Sequence, residues 1–486
     1  MIHHSARALI VCMGLGAAAF AQTPPEALPP GVRAAQLPLS GVPTQGASQG
    51  SVPSAQTPGA PLALSLDDAV QRGLKSNLGA VSFQQMLRHA EGQGTVDRSF
   101  LLPQLNGSFT GADQQTDLAA LGFSSLKINV PGFSFPTVIG PYHYFDLRAG
   151  VSQSILDATR LNTLRATQQN VKAVQFSAQD VRDLIALAVS SAYLQVVSGG
   201  ARVDSARAQV ATAQATYQQA VDRHDAGVAA RIDVTRSQVE LQTEKQRLTS
   251  VENDLAKQKI AFGRLIGLPP GQEFTLTDTL PFAPLNDITI EQALVRAAAN
   301  RADIKAAEAQ IHAAELTKRA AEAERLPSIS VGADYGVIGV DPTNSHGTFS
   351  LTGSVRVPIW NGHRVRGDIE QADAALEQRR AEYQDLRGRI DAEIRTAFLD
   401  LNSAASQVKV ADSNRTLAAD TLQQARDRFA AGVADTVEVV QAQESVASAE
   451  QDYIASLYTH NLAKATLARS MGQADQNIKE FLGKKQ

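Results

Sequence analysis

Residues 189–262 repeat a seam at every seventh position and turn back once. The ascending series is Val189, Val196, Val203, Val210, Tyr217 and His224; the break is Gly227-Val228; the returning series is Val234, Leu241, Leu248, Leu255 and Phe262. Moved by 205 positions (Gly227 to Gly432), the pattern recurs. It reads Ile394, Leu401, Val408, Arg415, Leu422 and Phe429, then Gly432-Val433, then Val439, Val446, Tyr453, His460 and Leu467. A sustained seven-residue repeat keeps one seam facing a partner only if helices wind around one another. Each copy is therefore expected to be a coiled-coil hairpin, with glycine where the ascending helix ends. No proline falls between Pro141 and Pro269, and none follows Pro358, as long helices require.

The duplication reaches beyond the hairpins. A helical pattern opens at Leu66-Asp67-Asp68-Ala69-Val70 and stops at Leu102-Pro103-Gln104-Leu105. A second opens at Ile290-Glu291-Gln292-Ala293-Leu294 and stops at Leu326-Pro327-Ser328-Ile329. These segments are offset by 224 (Leu66 to Ile290), 19 more than the hairpins, so the first copy holds extra residues. The Phe-, Gly- and Pro-rich stretch 117–141 is expected to hold them as an enlarged loop.

After each Leu-Pro the period changes to two. Leu105, Gly107, Phe109 and Gly111 alternate with polar residues, as do Phe145, Leu147, Ala149 and Val151. The second copy repeats this with Ile329, Val331, Ala333, Tyr335 and Val337, then Phe349, Leu351, Gly353, Val355 and Val357. Runs of about ten residues suit tilted membrane-spanning strands. An ordinary half-buried antiparallel sheet alternates in the same way. Four strands cannot close a barrel, since the smallest have about eight; three chains would supply twelve with C3 symmetry.

The N-terminus favours the membrane reading. Arg7 precedes an apolar run through Ala19, and Ala19-Phe20-Ala21 offers a cleavage site, so residues 1–21 read as a secretory signal peptide. Cys12, the only cysteine, lies inside it, leaving no thiol, disulfide or cysteine ligand in the mature chain. Residues 22–61 read as a disordered Pro/Gly/Gln-rich arm. No later apolar stretch is expected to reach transmembrane-helix length. A net charge of -4 and a pI near 6.2 exclude a nucleic-acid-binding surface built on excess basic charge. The nine histidines show no metal-ligand spacing, and no nucleophile–base pattern or phosphate loop is present.

In order and in duplicate, these residues resemble the outer membrane efflux proteins, the TolC-like outer membrane factors. The likeness runs from about residue 62 to 472. It rests on Leu64-Ser65-Leu66-Asp67-Asp68-Ala69-Val70, the two Leu-Pro junctions and Val357-Pro358-Ile359-Trp360-Asn361-Gly362. It also rests on the tips Arg223-His224-Asp225-Ala226-Gly227-Val228 and Arg428-Phe429-Ala430-Ala431-Gly432-Val433, and on Leu265-Ile266-Gly267 and Ser470-Met471-Gly472. The resemblance implies a homotrimer: a 12-stranded outer-membrane β-barrel on a periplasmic α-barrel. It further implies a passive exit channel of a Gram-negative efflux pump, with a periplasmic adaptor and an inner-membrane transporter of RND or ABC type as partners. No enzyme activity and no cofactor follow from it. A type I protein secretion channel shares this architecture. A periplasmic adaptor or a pore-free coiled coil are rivals from other classes, and neither accounts for two hairpins with four strands. The domains expected are a first repeat at 62–267, a linker at 268–289, a second repeat at 290–472 and a tail at 473–486.

Asp233 and Glu438 each stand six residues beyond a tip glycine. The resemblance implies carboxylates ringing a periplasmic aperture, whereas an acid in a first helical turn also simply complements the dipole. One turn further on stand Arg236 and Gln441, so a double acidic ring is not expected. His224 and Phe429 are candidates to narrow the aperture or to pack the seam. Gly227, Val228, Gly432 and Val433 are candidate adaptor-docking positions, because a reversal needs the glycine but not an exposed valine. Trp360, the single tryptophan, is a candidate membrane-interface residue.

Overall fold

The structure, a computed structural model, describes residues 50–53, 59–120, 136–279, 282–284 and 288–475. The leader 1–21 with Cys12, most of the arm, residues 121–135 of the enlarged loop and residues 476–486 of the tail lie outside the described residues. The first repeat comprises β1 (Leu62–Leu64), α1 (Leu66–Ser76), α2 (Leu78–Ser99), β2 (Gln104–Asp117), β3 (Val138–Leu156), α3 (Ala158–Asp225) and α4 (Arg231–Leu265). β4 (Phe274–Leu276) lies in the linker, and the second repeat comprises α5 (Ile290–Asn300), α6 (Ala302–Ala323), β5 (Ser328–Gly339), β6 (Ser345–Arg356), α7 (Arg364–Ala430) and α8 (Thr436–Ser470). The chain divides into two compact units, one of helices and one of strands.

Within the helical unit each repeat opens on a reciprocal capping box. Ser65 and Asp68 exchange side-chain and backbone bonds at the start of α1, and Thr289 and Gln292 do the same for α5. The sequence pattern predicts one helix from each box to the Leu-Pro, but each is broken once, at Asn77 and at Arg301. These residues are 224 apart and share an extended backbone, with ψ of 133° and 122°. Asn77 caps α2 through its side chain, which accepts the Gly79 N–H at 2.8 Å. Buried Arg301 instead bonds Asp303, Glu393 at 2.7 Å and the Ser470 carbonyl at 3.2 Å. Both breaks lie against a glycine that ends a returning arm. Gly267 and Gly472 hold φ near +70°, and a Cβ at Gly472 would sit 2.9 Å from Arg301 Cα, while one at Gly267 would strike Ser76. Gly50–Pro53, from the arm for which no period was found, reach the same junction. Ser51 bridges to Asn77, and Val52 N–H donates to the Ser76 carbonyl at 2.8 Å.

α3 and α7, of 68 and 67 residues, are each about 100 Å long at 1.5 Å per residue. Their seams face inward as the heptads require. Val189, Val196, Val203, Leu241 and Phe262 are buried, as are Ile394, Leu401, Val408, Leu422, Phe429, Val439 and Leu467. The upper seam of the first hairpin enters a cluster with α1, β1 and β4, where Tyr193 and Phe274 stand 5.9 and 5.5 Å from Phe262. That of the second enters a matching cluster with α5 and α6. One prediction needs correction: α3 does contain a window long and apolar enough to cross a membrane. Half of that window is buried, and Ile185, Val189 and Tyr193 of α3 lie in the first cluster, so packing accounts for part of the helix's apolarity.

The parallel pair β1–β4 was not predicted; it joins the start of the first repeat to the linker, Leu62 opposite Phe274. The linker also crosses α8. Lys464 is fully buried and donates to the Ala283 carbonyl at 2.9 Å, and burial lowers its pKa to about 8. His460, at a heptad position, lies 5.1 Å from the Phe282 ring with neither ring nitrogen partnered among the described residues.

The strand unit, residues 103–153 and 330–354, is one sheet of order β2-β3-β5-β6. β2 and β3 are antiparallel, with Phe109 opposite Leu147 and Leu105 opposite Val151. The strands fall where the period of two predicts and run longer, to 14 and 19 residues in the first copy. β3 thereby takes in the end of the predicted loop. One face carries Leu105, Phe109, Leu147, Phe349, Leu351 and Val355, all exposed. The other carries Arg148, which donates to Asp334, to Asp146 at 3.2 Å and to Thr348 at 3.2 Å.

Burial, then the neighbouring Lys464 charge, lowers the His460 pKa from 6.5 to about 4. A base with a depressed folded pKa stabilises the fold above its unfolded value and loses that contribution as pH falls through the folded one. His460→Leu should therefore flatten the fall in Tm between pH 6.5 and 4 relative to the wild type. Parallel melting profiles for the two proteins would show that this imidazole does not stay neutral in the fold.

Candidate functional site: the paired hairpin tips

Both reversals close by the same backbone device. At the first, the Val228 N–H reaches back to the Arg223 carbonyl at 2.9 Å and the Gly227 N–H to that of His224 at 2.8 Å. At the second, Val433 donates to Arg428 at 2.9 Å and Gly432 to Phe429 at 3.1 Å. This paired closure needs a left-handed residue after the cap, and Gly227 and Gly432 supply φ of 77° and 74°. The following valines project outward: Val228 is 67% exposed and Val433 72%.

The side chains around the two turns differ. Asp435 caps α8 by accepting the Glu438 N–H at 3.1 Å, whereas the equivalent Ala230 gives α4 no side-chain cap. Asp233 and Glu438 occupy the first turns of α4 and α8, where a carboxylate complements the helix dipole. Arg236 stands 3.9 Å from Asp233 and Arg428 stands 3.3 Å from Glu438. Phe429 is buried in a cluster with Leu422, Ala425, Val439 and Ala442. His224 is exposed, its Nδ1 3.0 Å from the Ala229 carbonyl.

One residue joins the tips and was not singled out by the sequence. Arg223 places its guanidinium 4.6 Å from the Phe429 ring centroid and donates to the Phe429 carbonyl. That carbonyl belongs to the last turn of α7, where a cation is favoured. Its counterpart Arg428 turns instead to Glu438 within its own hairpin. Further along the seam, Gln443 Nε2 of α8 donates to Thr216 Oγ1 of α3 at 2.9 Å, a buried link between the hairpins.

Two linked hairpins with matching turns, and a four-stranded sheet to which each repeat gives two strands, form a duplicated architecture. Residues 72–268 and 293–473 match the profile of the outer membrane efflux proteins. The chain belongs to that family. It is a family of outer-membrane transport proteins, not of enzymes. The chain is 23% identical over 433 residues to the pyoverdine export outer membrane protein OpmQ of Pseudomonas aeruginosa, covering 86% of this chain and 87% of that one. It is 23% identical over 402 residues to the toluene efflux pump outer membrane protein TtgF of Pseudomonas putida, covering 79% and 78%. The fold matches that of the CmeC outer membrane channel of Campylobacter jejuni with a TM-score of 0.71 at 18% identity, over 86% of this chain and 89% of that one.

The remaining candidate of the family pattern, Trp360, follows β6, is 65% exposed and meets His363 edge-on at 5.6 Å. Among the described residues no group of histidine, cysteine and acidic side chains could hold a metal ion.

A cation over an aromatic ring is worth about 0.5–1 kcal/mol at an exposed site. Arg223→Ala should accordingly speed amide exchange at Gly432 and Val433 by roughly two- to fivefold. Unchanged exchange would show that the cross-tip contact holds nothing in place.

Proposed function

We propose that this chain is the outer-membrane exit channel of a tripartite efflux pump, closing as a homotrimer into a 12-stranded β-barrel and a periplasmic α-barrel. The observation that carries the proposal is the open sheet. Its apolar face shows Phe349 at 80% and Leu105 at 78% exposure, and β2 and β6 are its two edge strands. Long free edges beside an apolar face are an aggregation hazard in water. In a membrane every backbone group must be paired, so the edges have to close on other strands. Three chains of four strands close the ring without leaving an edge.

The outward face then meets lipid, and the face bearing Arg148, Asp146 and Asp334 lines water. Trp360 is assigned to the membrane interface. Gly227-Val228 and Gly432-Val433 are assigned to docking on a periplasmic adaptor, whose inner-membrane transporter supplies the energy. Asp233 and Glu438 are assigned to a carboxylate ring that favours cations at a periplasmic aperture, with His224 and Phe429 beside it. The pyoverdine-export and toluene-efflux names of the relatives support efflux over other uses of the same architecture.

Native mass of the mature chain, extracted in mild detergent from purified Gram-negative outer membranes, should be that of a trimer. A soluble periplasmic monomer would end the channel reading. Separately, Val228→Glu combined with Val433→Glu should abolish efflux while the trimer mass is kept, because charge at a docking valine must be desolvated. Undiminished efflux would remove the tips from the contact with the adaptor.

A further inference from the structure

Between the two hairpins lies an elongated cleft of about 820 Å³. Its wall on α3 runs from Val196 to Ala213, about 25 Å by helical rise. Val197, Leu255, Leu276, Ile454 and Leu457 supply apolar lining, and Asp204, Asp278, Lys259 and Glu450 also line the cleft. Buried polar side chains gather at one end. There Glu240 and Glu244 of α4 and Gln443 of α8 face the cleft, at 7%, 4% and 8% exposure.

These three side chains carry acceptors with nothing to accept from. Glu240 Oε1, Glu244 Oε2 and Gln443 Oε1 are buried and lack a hydrogen-bond partner among the described residues. Glu244 is partly balanced by Arg247 at 3.0 Å, and Gln443 uses its Nε2 on Thr216. Glu240 makes no ion pair among the described residues. Buried unpaired acceptors are rare because each forfeits its bonds to water, and burial together with neighbouring carboxylates raises the Glu240 pKa. The cations on the cleft wall do not answer this end. Arg415 is engaged with Asp412 at 2.8 Å and with the Tyr453 ring at 4.1 Å. Lys259 stands 19 residues along α4 from Glu240, hence about 28 Å away by helical rise.

We propose that this cleft binds a protonated amine carried on an elongated apolar body, with Glu240 and Gln443 accepting its N–H groups. The volume lies within the range of small-molecule sites, in which a largely apolar wall supplies affinity and a few convergent polar groups fix orientation. An ammonium supplies three donors to this group of acceptors, to which Gln209 Oε1 on the α3 wall adds a fourth that is buried and without a partner among the described residues. The site is built from four helices and the linker of one chain, away from the tips, and does not rest on the channel reading.

Dansylcadaverine, a primary amine on an apolar fluorescent body, is a suitable probe for the purified full-length protein. It should bind saturably, and Glu240→Gln should weaken it by tenfold or more, as loss of a charge-assisted bond predicts. The N-acetylated probe, which has no charge, should bind the wild type no better than dansylcadaverine binds that variant. Gln443→Glu adds a third carboxylate to the end that already holds Glu240 and Glu244 and should tighten binding several-fold; this keeps the test decisive if Glu240→Gln disturbs the native mass or helix content. No saturable binding to the wild type overturns the proposal. So does equal affinity for the charged and acetylated probes, or affinity unmoved by both substitutions.

Discussion

The seven-residue seam is the constraint on which the helical unit depends. Helices of 67 and 68 residues cannot bury themselves in a compact core, so their stability comes from one stripe repeated along their whole length. That stripe fixes which face of α3 meets α4, and which face of α7 meets α8. Where it runs among α1, α2 and the short strands it merges with a broader core around Phe262; at the second tip it narrows to Phe429 and its neighbours. Polar occupants of the seam are accommodated individually. Arg415 stacks on Tyr453, and His460 lies beside Phe282 with neither ring nitrogen partnered among the described residues.

The breaks at Asn77 and Arg301 show the same duplication met by different chemistry. A helix end leaves unsatisfied N–H groups. Asn77 answers with a side-chain cap, whereas Arg301 offers no cap and ties the junction down through Asp303 of its own helix and Glu393 of α7. What the copies share is the space made by Gly267 and Gly472. At both, the backbone needs φ near +70° and the neighbouring junction leaves no room for a Cβ.

The long elements were legible because each depends on a period: seven for the hairpins, two for the strands. The tips were legible because a left-handed turn requires glycine. What was missed depends on contacts between distant segments. The helix breaks follow from packing against returning-arm glycines and carry no local proline; Gly79 stands near the first, but the equivalent place at the second is Asp303, so no signal is common to both. β1 and β4 are three residues each, too short to show an alternation, and they pair across more than two hundred positions. Arg223 and Arg428 look equivalent in sequence, and only the placement of Phe429 sends one across the tips and leaves the other at home. Glu240 and Glu244 were not singled out in the sequence, although their place beside Leu241 in the seam was a usable hint that they are covered.

The divergence of Arg223 from Arg428 bears on symmetry. Duplication by itself gives one chain two interchangeable tips, and a closed ring of such chains would show twice as many identical rim positions as subunits. One tip lends a guanidinium and lacks a side-chain cap; the other receives that guanidinium and is capped by Asp435. The rim of such a ring therefore alternates between two surfaces. A partner that engages every position must present two modes of contact, and one with a single mode will occupy only every other place.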